Sequence, residues 1–243
     1  FVEDYYYMEL AIIDKSENDF DTYTIFNEPL LIRNNILTHN NFTFNIEVIK
    51  FLPHCELIPR NQIAGLQYKG MLKNFMLKDL EPVKEEQMNR PGLIFNLSNT
   101  GTNLDGIYGL FLNQKVPQNL FINEKEYELI FRKQRTYLPF ALKLIDFDKT
   151  MHPGTNIAKS YSSEINLVED GVAKRLIISM NEPLRYKGYT FYQSSFIEGL
   201  KLETTVLAAV KNYGRLFPYI SSIVMCVGLL IHLLFKLPKL FKK

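Results

Sequence analysis

Three patterns in the sequence predict a mainly β protein, with antiparallel sandwich or barrel-like lobes, one short amphipathic helix and one C-terminal transmembrane helix. Apolar and polar residues alternate with a period of two in several segments, among them 42–48, 140–144 and 189–192. This alternation, rich in Phe, Tyr, Ile and Val, is typical of half-buried antiparallel strands. Turn-forming pairs such as Asp170-Gly171 separate the segments. A long apolar stretch follows the last alternating segment.

The 243 residues are enough for two β lobes that each bury a core. We expect a first lobe over residues 1–80, which includes an amphipathic helix near 67–80 because apolar residues recur there at helical spacing. The polar segment 81–92 contains two prolines and predicts a linker. A second lobe is then expected over residues 93–215, followed by a transmembrane helix at 216–235 and a basic tail at 236–243.

The apolar stretch 216–235 has the length and composition of a membrane helix. It carries no formal charge, and at a rise of about 1.5 Å per residue it spans about 30 Å of hydrocarbon. Four lysines lie in the last eight residues, and no acidic residue follows Glu203. The positive-inside rule therefore predicts a cytoplasmic C-terminus, with residues 1–215 on the extracytoplasmic side of the cytoplasmic (inner) membrane.

The sequence starts with Phe1 and has no signal segment, so export to that side needs earlier membrane helices. We therefore expect this chain to be part of a longer polytopic protein. The alternative is a tail-anchored cytoplasmic protein, in which the C-terminal lysines would have to cross the bilayer.

Charge and cysteine content exclude several classes of function. Without the four C-terminal lysines, the chain has 24 basic and 26 acidic residues, which argues against a nucleic-acid partner. The two cysteines, Cys55 and Cys226, form no CxxC pair and no zinc-binding pattern. Glycine-rich phosphate loops and catalytic serine motifs are also missing. We therefore predict no resident metal site and no catalytic residue.

Five short motifs follow one another between Tyr137 and Ser222. A strand ending in an acidic residue leads to Pro153-Gly154-Thr155, a serine-rich strand, the run NEPLRYKGYTFYQ and finally VKNYG before the membrane helix. In this order, the motifs are similar to those of the ResB (CcsB) family of System II cytochrome c biogenesis. No single generic motif carries the resemblance, which rests on the order of all five.

The resemblance implies a membrane-bound assembly subunit for c-type cytochrome maturation. Such a subunit acts with a multi-spanning ResC (CcsA) partner to deliver haem across the membrane and attach it to apocytochrome c. Haem would be a transient cofactor, and this chain would be one part of a haem lyase complex rather than a catalyst alone. The alternative is a membrane-anchored extracytoplasmic β-sandwich that binds something unrelated to haem, with the motifs reflecting fold alone.

Four residues are candidates for contacts with haem or a partner. His232 lies inside the predicted membrane helix, where an ionisable group costs free energy and suggests a function. It could ligate haem iron, contact another helix or lie at the interface near Lys236. Alternation cannot put all aromatics of the 186–196 segment on one face. The candidate partner contacts in that segment are Tyr189, Tyr192 and Gln193, with core packing as the alternative.

Six residues are predicted to shape turns, because proline fixes φ and glycine permits positive φ. They are Pro153, Gly154, Thr155, Asn181, Pro183 and Gly188. The pair His54-Cys55 suggests a base and a nucleophile, but neighbouring strand residues point to opposite faces, which favours a structural pair. His152, beside a turn, is either a weak haem ligand or an ordinary loop histidine.

Overall fold

A computed structural model describes residues 1–17, 19–60, 65–154, 158–198, 203–214 and 216–240. The chain forms two compact units, Phe1–Tyr137 and Leu138–Lys243. Strands in antiparallel sheets dominate both units, and the one α-helix among the described residues lies at the C-terminal end. The predicted mainly β fold class with a C-terminal helix is therefore confirmed.

The described residues of the first unit form ten strands in three antiparallel sheets, ordered β2-β1-β10-β9, β3-β4-β7-β8 and β5-β6. The strands are β1 (Val2–Asp14), β2 (Thr22–Asn27), β3 (Ile36–Leu37), β4 (Asn45–Leu52), β5 (Cys55–Pro59), β6 (Phe75–Asp79), β7 (Gly92–Ser98), β8 (Gly106–Phe111), β9 (Gln118–Ile122) and β10 (Lys125–Thr136).

One apolar cluster takes side chains from both four-stranded sheets of the first unit. Leu10 and Leu129 come from the first of these sheets, and Ile46 and Phe95 come from the second. All four are fully buried. Two sheets that share one core in this way form a β-sandwich, which is the arrangement predicted from the alternation.

In the second unit, the part of the chain that the structure describes forms six strands in two antiparallel sheets, ordered β11-β12-β13 and β14-β15-β16. The elements are β11 (Ala141–Met151), β12 (Ala158–Glu169), β13 (Val172–Ser179), β14 (Leu184–Tyr186), β15 (Tyr189–Glu198), β16 (Glu203–Lys211) and α1 (Phe217–Leu240). Its core is smaller than that of the first unit, and again joins both sheets. Phe140, Ile165, Ile178 and Phe191 are its central residues.

Helix α1 is long and apolar enough to cross a membrane between Phe217 and Lys236, and none of this window is buried. Pro218 stands in the first turn, where its missing N–H leaves no hydrogen bond unmade. The hydroxyls of Ser221 and Ser222 donate to the Pro218 carbonyl at 2.9 and 2.8 Å. The bilayer would therefore meet few unpaired polar groups at this end.

The predicted amphipathic helix near 67–80 is wrong. A short 3₁₀ turn occupies Gly70–Lys73, and β6 follows at once and pairs with β5. Leu72 and Leu77 are buried beside Cys55 in a small apolar cluster. The helical spacing of the apolar residues thus arises from a turn and a strand that each bury one leucine in the same cluster.

The division of the chain also differs from the predicted one. The predicted linker 81–92 lies inside the first unit, because β4 and β7 pair along their length on either side of it. The observed boundary follows Tyr137 instead. Polarity and prolines identified an exposed connection, but the sequence carries no signal that β4 and β7 share a sheet.

Candidate functional site

The aromatic strand β15 has two faces with different surroundings. Phe191 is buried, and its ring lies 5.9 Å from that of Phe140 in an edge-to-face arrangement. Tyr189, on the same face, packs against this core and lies 5.3 Å below the Lys211 ammonium group. Tyr192 points the other way and is 43% exposed. Of the predicted contact residues in this strand, Tyr192 offers the most accessible surface to a partner.

Gln193 is buried in a polar cluster that joins the two sheets of the second unit. The Ser163 hydroxyl on β12 donates to Gln193 Oε1 at 2.6 Å. Gln193 Nε2 donates to Thr205 Oγ1 on β16 at 2.6 Å and to the Ser195 carbonyl at 3.2 Å. Its side chain is 7% exposed and its polar atoms are used inside the unit. Gln193 therefore lies in the core of the second unit, which corresponds to the core-packing alternative.

The turn at Gly188 is a tight β-hairpin. Tyr186 pairs with Tyr189 across the two residues Lys187 and Gly188, both at positive φ (45° and 81°). This pattern is that of a type I′ turn. The Lys187 ammonium group also pairs with Glu169, and the Tyr186 hydroxyl donates to the same carboxylate at 2.6 Å. The Lys187 hydrogen bond and then that of Tyr186 lower the pKa of Glu169.

The other predicted turn residues also lie at chain reversals where the structure describes them. Gly154, after Pro153, adopts a φ of 74° between β11 and β12, whereas Thr155 lies outside the described residues. Asn181 and Pro183 flank Glu182, which exchanges two backbone hydrogen bonds with Ser179 at 3.2 and 3.3 Å. These residues shape the connections between strands.

His54 and Cys55 have separate structural roles. His54 Nδ1 accepts a hydrogen bond from the Arg90 N–H at 3.0 Å. Cys55 is 2% exposed in an apolar cluster, and burial raises the pKa of its thiol to about 11. A thiol held protonated in this way is a poor nucleophile.

His232 lies on α1, four residues before Lys236, and its side chain is exposed. No group of three or more His, Cys, Asp or Glu side chains that could hold a metal ion occurs in the described ranges. The haem-ligand interpretation of His232 stays a prediction.

One feature of the first unit was missed in the sequence. Glu9 on β1 and Arg132 on β10 are cross-strand partners, with Arg132 Nε 2.8 Å from Glu9 Oε1. Their exposures are 1% and 8%. In the sequence, each of the two residues is only a single charge beside apolar residues. Their pairing depends on the contact between β1 and β10, which brings together residues that are 123 positions apart.

The fold and the helix define a class of protein: a membrane protein with a β-rich region before a membrane-spanning helix. Residues 104–215 match the model of the ResB-like family. The match begins just before β8 and ends just before α1, so it includes the five motifs described above up to the membrane helix. The predicted resemblance to the ResB family is confirmed by this match, which covers a little under half of the chain.

A curated relative also matches the chain. Protein NrfI of Wolinella succinogenes is 30% identical over 119 residues, which make up 48% of this chain. The matched region spans 13% of the length of NrfI.

Proposed function

We propose that this chain is part of a membrane-bound assembly subunit for the maturation of c-type cytochromes. The observation that carries the proposal is the family match over residues 104–215, which ends where the membrane helix begins. The β units would lie on the extracytoplasmic side, where haem is joined to apocytochrome c. A multi-spanning partner of the ResC (CcsA) type would share the complex, and haem would be a transient cofactor.

The position of α1 supports a role at the membrane surface. Strand β16 ends at Lys211 and α1 begins at Phe217. A fully extended connection of this length reaches about 20 Å. The sheet β14-β15-β16 is therefore held close to the bilayer, which suits a subunit that docks on a membrane partner and guides the meeting of haem and apocytochrome c.

The role we assign to this chain is positioning rather than bond formation. Tyr192 is the contact residue we favour, because a tyrosine that is 43% exposed on a rigid strand can add apolar area and one hydrogen bond. Phe191 and Gln193, which flank Tyr192 in the sequence and share the opposite face of β15, are buried and fix this strand from within. The partner would therefore meet a surface that is already ordered.

Gene deletion tests the function. Cells that lack the full-length gene should lose covalently bound haem in their c-type cytochromes while keeping their b-type haem. A plasmid copy of the gene should restore the c-type signal. Normal maturation of c-type cytochromes in the deletion strain would contradict the proposal and favour a binding module unrelated to haem.

The proposed contact surface has its own test. We expect Tyr192→Ser in the full-length protein to reduce co-purification with the multi-spanning partner severalfold. Ile177→Ser is the matched control, because Ile177 is 65% exposed on β13 of the same unit. Equal recovery of the partner with both variants would show that Tyr192 is not a contact residue.

A further inference from the structure

A cation and two aromatic rings meet at the end of the second unit from which α1 starts. Lys211 is the last residue of β16, and its cross-strand partner is Tyr189, the first residue of β15. The Lys211 ammonium group lies 5.3 Å from the centre of the Tyr189 ring and 5.2 Å from that of Tyr213. Lys211 and Tyr213 are exposed, whereas Tyr189 is half-buried. These three side chains, which we call the Lys211 cluster, are therefore open to a ligand.

The connection from the Lys211 cluster to α1 is a short turn held by hydrogen bonds. The Gly214 N–H donates to Asn212 Oδ1 at 3.0 Å, and the Phe217 N–H donates to the Gly214 carbonyl at 3.1 Å. A fully extended connection of this length would reach about 20 Å, and the turn shortens this distance. The apolar window starts at Phe217, and the headgroup layer beside the hydrocarbon is about 5–8 Å thick. We therefore expect the Lys211 ammonium group, on its long side chain, at the level of the lipid headgroups.

The positive charge of Lys211 has no carboxylate partner among the ion pairs of the described residues. The neighbouring Lys187, by contrast, pairs with Glu169. The hydrogen bond to Tyr213 is the first cause that raises the pKa of Lys211, so its amine stays protonated at neutral pH. Each tyrosine hydroxyl of the cluster has one hydrogen that it can donate. The cluster thus offers a cation and two hydroxyl donors, and an anion with several oxygens matches this set.

We propose that the Lys211 cluster binds the phosphate group of an anionic phospholipid in the bilayer that α1 crosses. The phosphate oxygens accept hydrogen bonds from the Lys211 ammonium group and from the hydroxyls of Tyr189 and Tyr213. The exposed ring of Tyr213 lies among the headgroups, where aromatic residues are favoured. A headgroup without a cation is preferred, because the ammonium group of a zwitterionic lipid repels Lys211.

A lipid held in this way fixes the orientation of the second unit at the membrane surface. Its phosphate ties the end of the sheet β14-β15-β16 that carries Tyr189 and Lys211 to the same bilayer that holds α1. The sheet then cannot swing freely about the turn at Gly214. The proposal depends on α1 as a membrane helix but not on a role in cytochrome c maturation, so the two proposals can fail separately.

Native mass spectrometry of the purified full-length protein in detergent tests the site, with phosphatidylglycerol, phosphatidylcholine and inorganic phosphate as probes. We expect one phosphatidylglycerol molecule to bind saturably and about fivefold more tightly than phosphatidylcholine. Inorganic phosphate lacks the acyl chains that stay in the micelle beside α1, and should bind more weakly than either lipid. Equal affinity for the two lipids would overturn the proposal, and so would tighter binding of inorganic phosphate than of phosphatidylglycerol.

Variants assign the bound lipid to the named groups. Lys211→Gln removes the cation and should weaken phosphatidylglycerol binding about fivefold or more, whereas Lys211→Arg keeps the charge and should retain the affinity. Tyr213→Phe keeps the ring but removes the hydroxyl, and should weaken binding severalfold. Lys159→Gln is the control, because Lys159 is exposed at the end of β12 that lies away from Glu169. Wild-type affinity in Lys211→Gln would overturn the proposal, as would an equal loss in Lys159→Gln.

Discussion

At the scale of single residues, the polar cluster of Gln193, Ser163 and Thr205 is the clearest stabilising device in the second unit. Ser163 is fully buried, and its hydroxyl lies 2.7 Å from Thr205 Oγ1 as well as contacting Gln193. Every member therefore has a partner, which makes a buried polar network favourable rather than costly. The cluster links β12 of one sheet with β15 and β16 of the other.

Replacing Gln193 by leucine should lower the free energy of unfolding by about 1–3 kcal/mol, because Ser163 and Thr205 lose a partner in a buried site. Chemical denaturation of the purified protein measures this change. Tyr192→Leu is the control, since its side chain is 43% exposed and should change stability by about 0.5 kcal/mol or less. Equal losses in the two variants would contradict the role assigned to the cluster.

The Cys55 thiol provides a second prediction for a single residue. Its pKa is raised from 9.0 to about 11 by burial, so at pH 8 its reactive thiolate is about a hundredfold rarer than that of a free thiol. In a Cys226→Ser background, alkylation at pH 8 should be slow in the native protein and fast in concentrated guanidinium chloride. Fast reaction of the native protein would show that the site is open.

The same shift makes stability depend on pH in alkali. Because the folded state favours the protonated thiol, the contribution of Cys55 to stability is complete below pH 9.0. It is lost as the pH rises through about 11. Gly92 leaves the space that the thiol occupies, since a Cβ there would come within 2.7 Å of Cys55 Sγ.

Period-two alternation correctly indicates which residues of β15 share a face, and therefore that Phe191 and Gln193 point the same way. It does not say that a polar side chain on that face is buried. That depends on Ser163, which is 30 positions away in sequence and becomes a neighbour only when the two sheets meet. The outward position of Tyr192 follows from the alternation alone.

At the scale of elements, the two-residue hairpin turns are encoded locally. Asp170-Gly171 and Lys187-Gly188 both adopt positive φ at each residue, as their glycines allow. Asn123-Glu124 adopts the same conformation without a glycine, at φ values of 51° and 65°. Glu124 therefore holds a backbone conformation that L-residues with a side chain adopt at a cost.

Opposite substitutions at two of these turns should have opposite effects. Glu124→Gly creates an Asn-Gly turn and should stabilise the first unit by up to about 1 kcal/mol. Gly188→Ala should destabilise the second unit by about 1 kcal/mol, because alanine is strained at this positive φ. Backbone strain is the whole cost, since an added Cβ meets no other atom within 4 Å. Thermal denaturation measures both, and shifts of the same sign would contradict the explanation.

The segment near 67–80 shows where local pattern is insufficient for an element. Apolar residues at spacings of three and four fit a helix, but β5 offers the backbone of 75–79 a ladder of hydrogen bonds. Pairing with a strand about 20 positions earlier outweighs a helical preference that no cap or long apolar stripe reinforces. The C-terminal helix α1 was predicted correctly because its apolar pattern is long and no strand among the described residues offers its backbone alternative hydrogen bonds.

At the scale of the whole molecule, the charge asymmetry about α1 is the feature with the largest consequence. Before the helix, Lys211 lies over the rings of Tyr189 and Tyr213, at 5.3 and 5.2 Å. Tyr213 is 84% exposed, in a position that suits an aromatic residue at a membrane interface. From the last residue of the apolar window onward, the sequence carries Lys236, Lys239 and two more lysines.

Cysteine labelling tests the orientation that this asymmetry favours. In a background that lacks other reactive cysteines, Tyr213→Cys should react with a membrane-impermeant maleimide added to spheroplasts. Lys236→Cys should react only after the membrane is permeabilised. The two positions form a matched pair, because both are exposed and they lie at opposite ends of the apolar window Phe217–Lys236.

A tail of lysines resists transfer across the bilayer, so this orientation is expected to persist after one lysine is replaced. The reverse labelling pattern would place the β units in the cytoplasm and would remove the basis for a role in cytochrome c maturation, since that step takes place on the other side of the membrane.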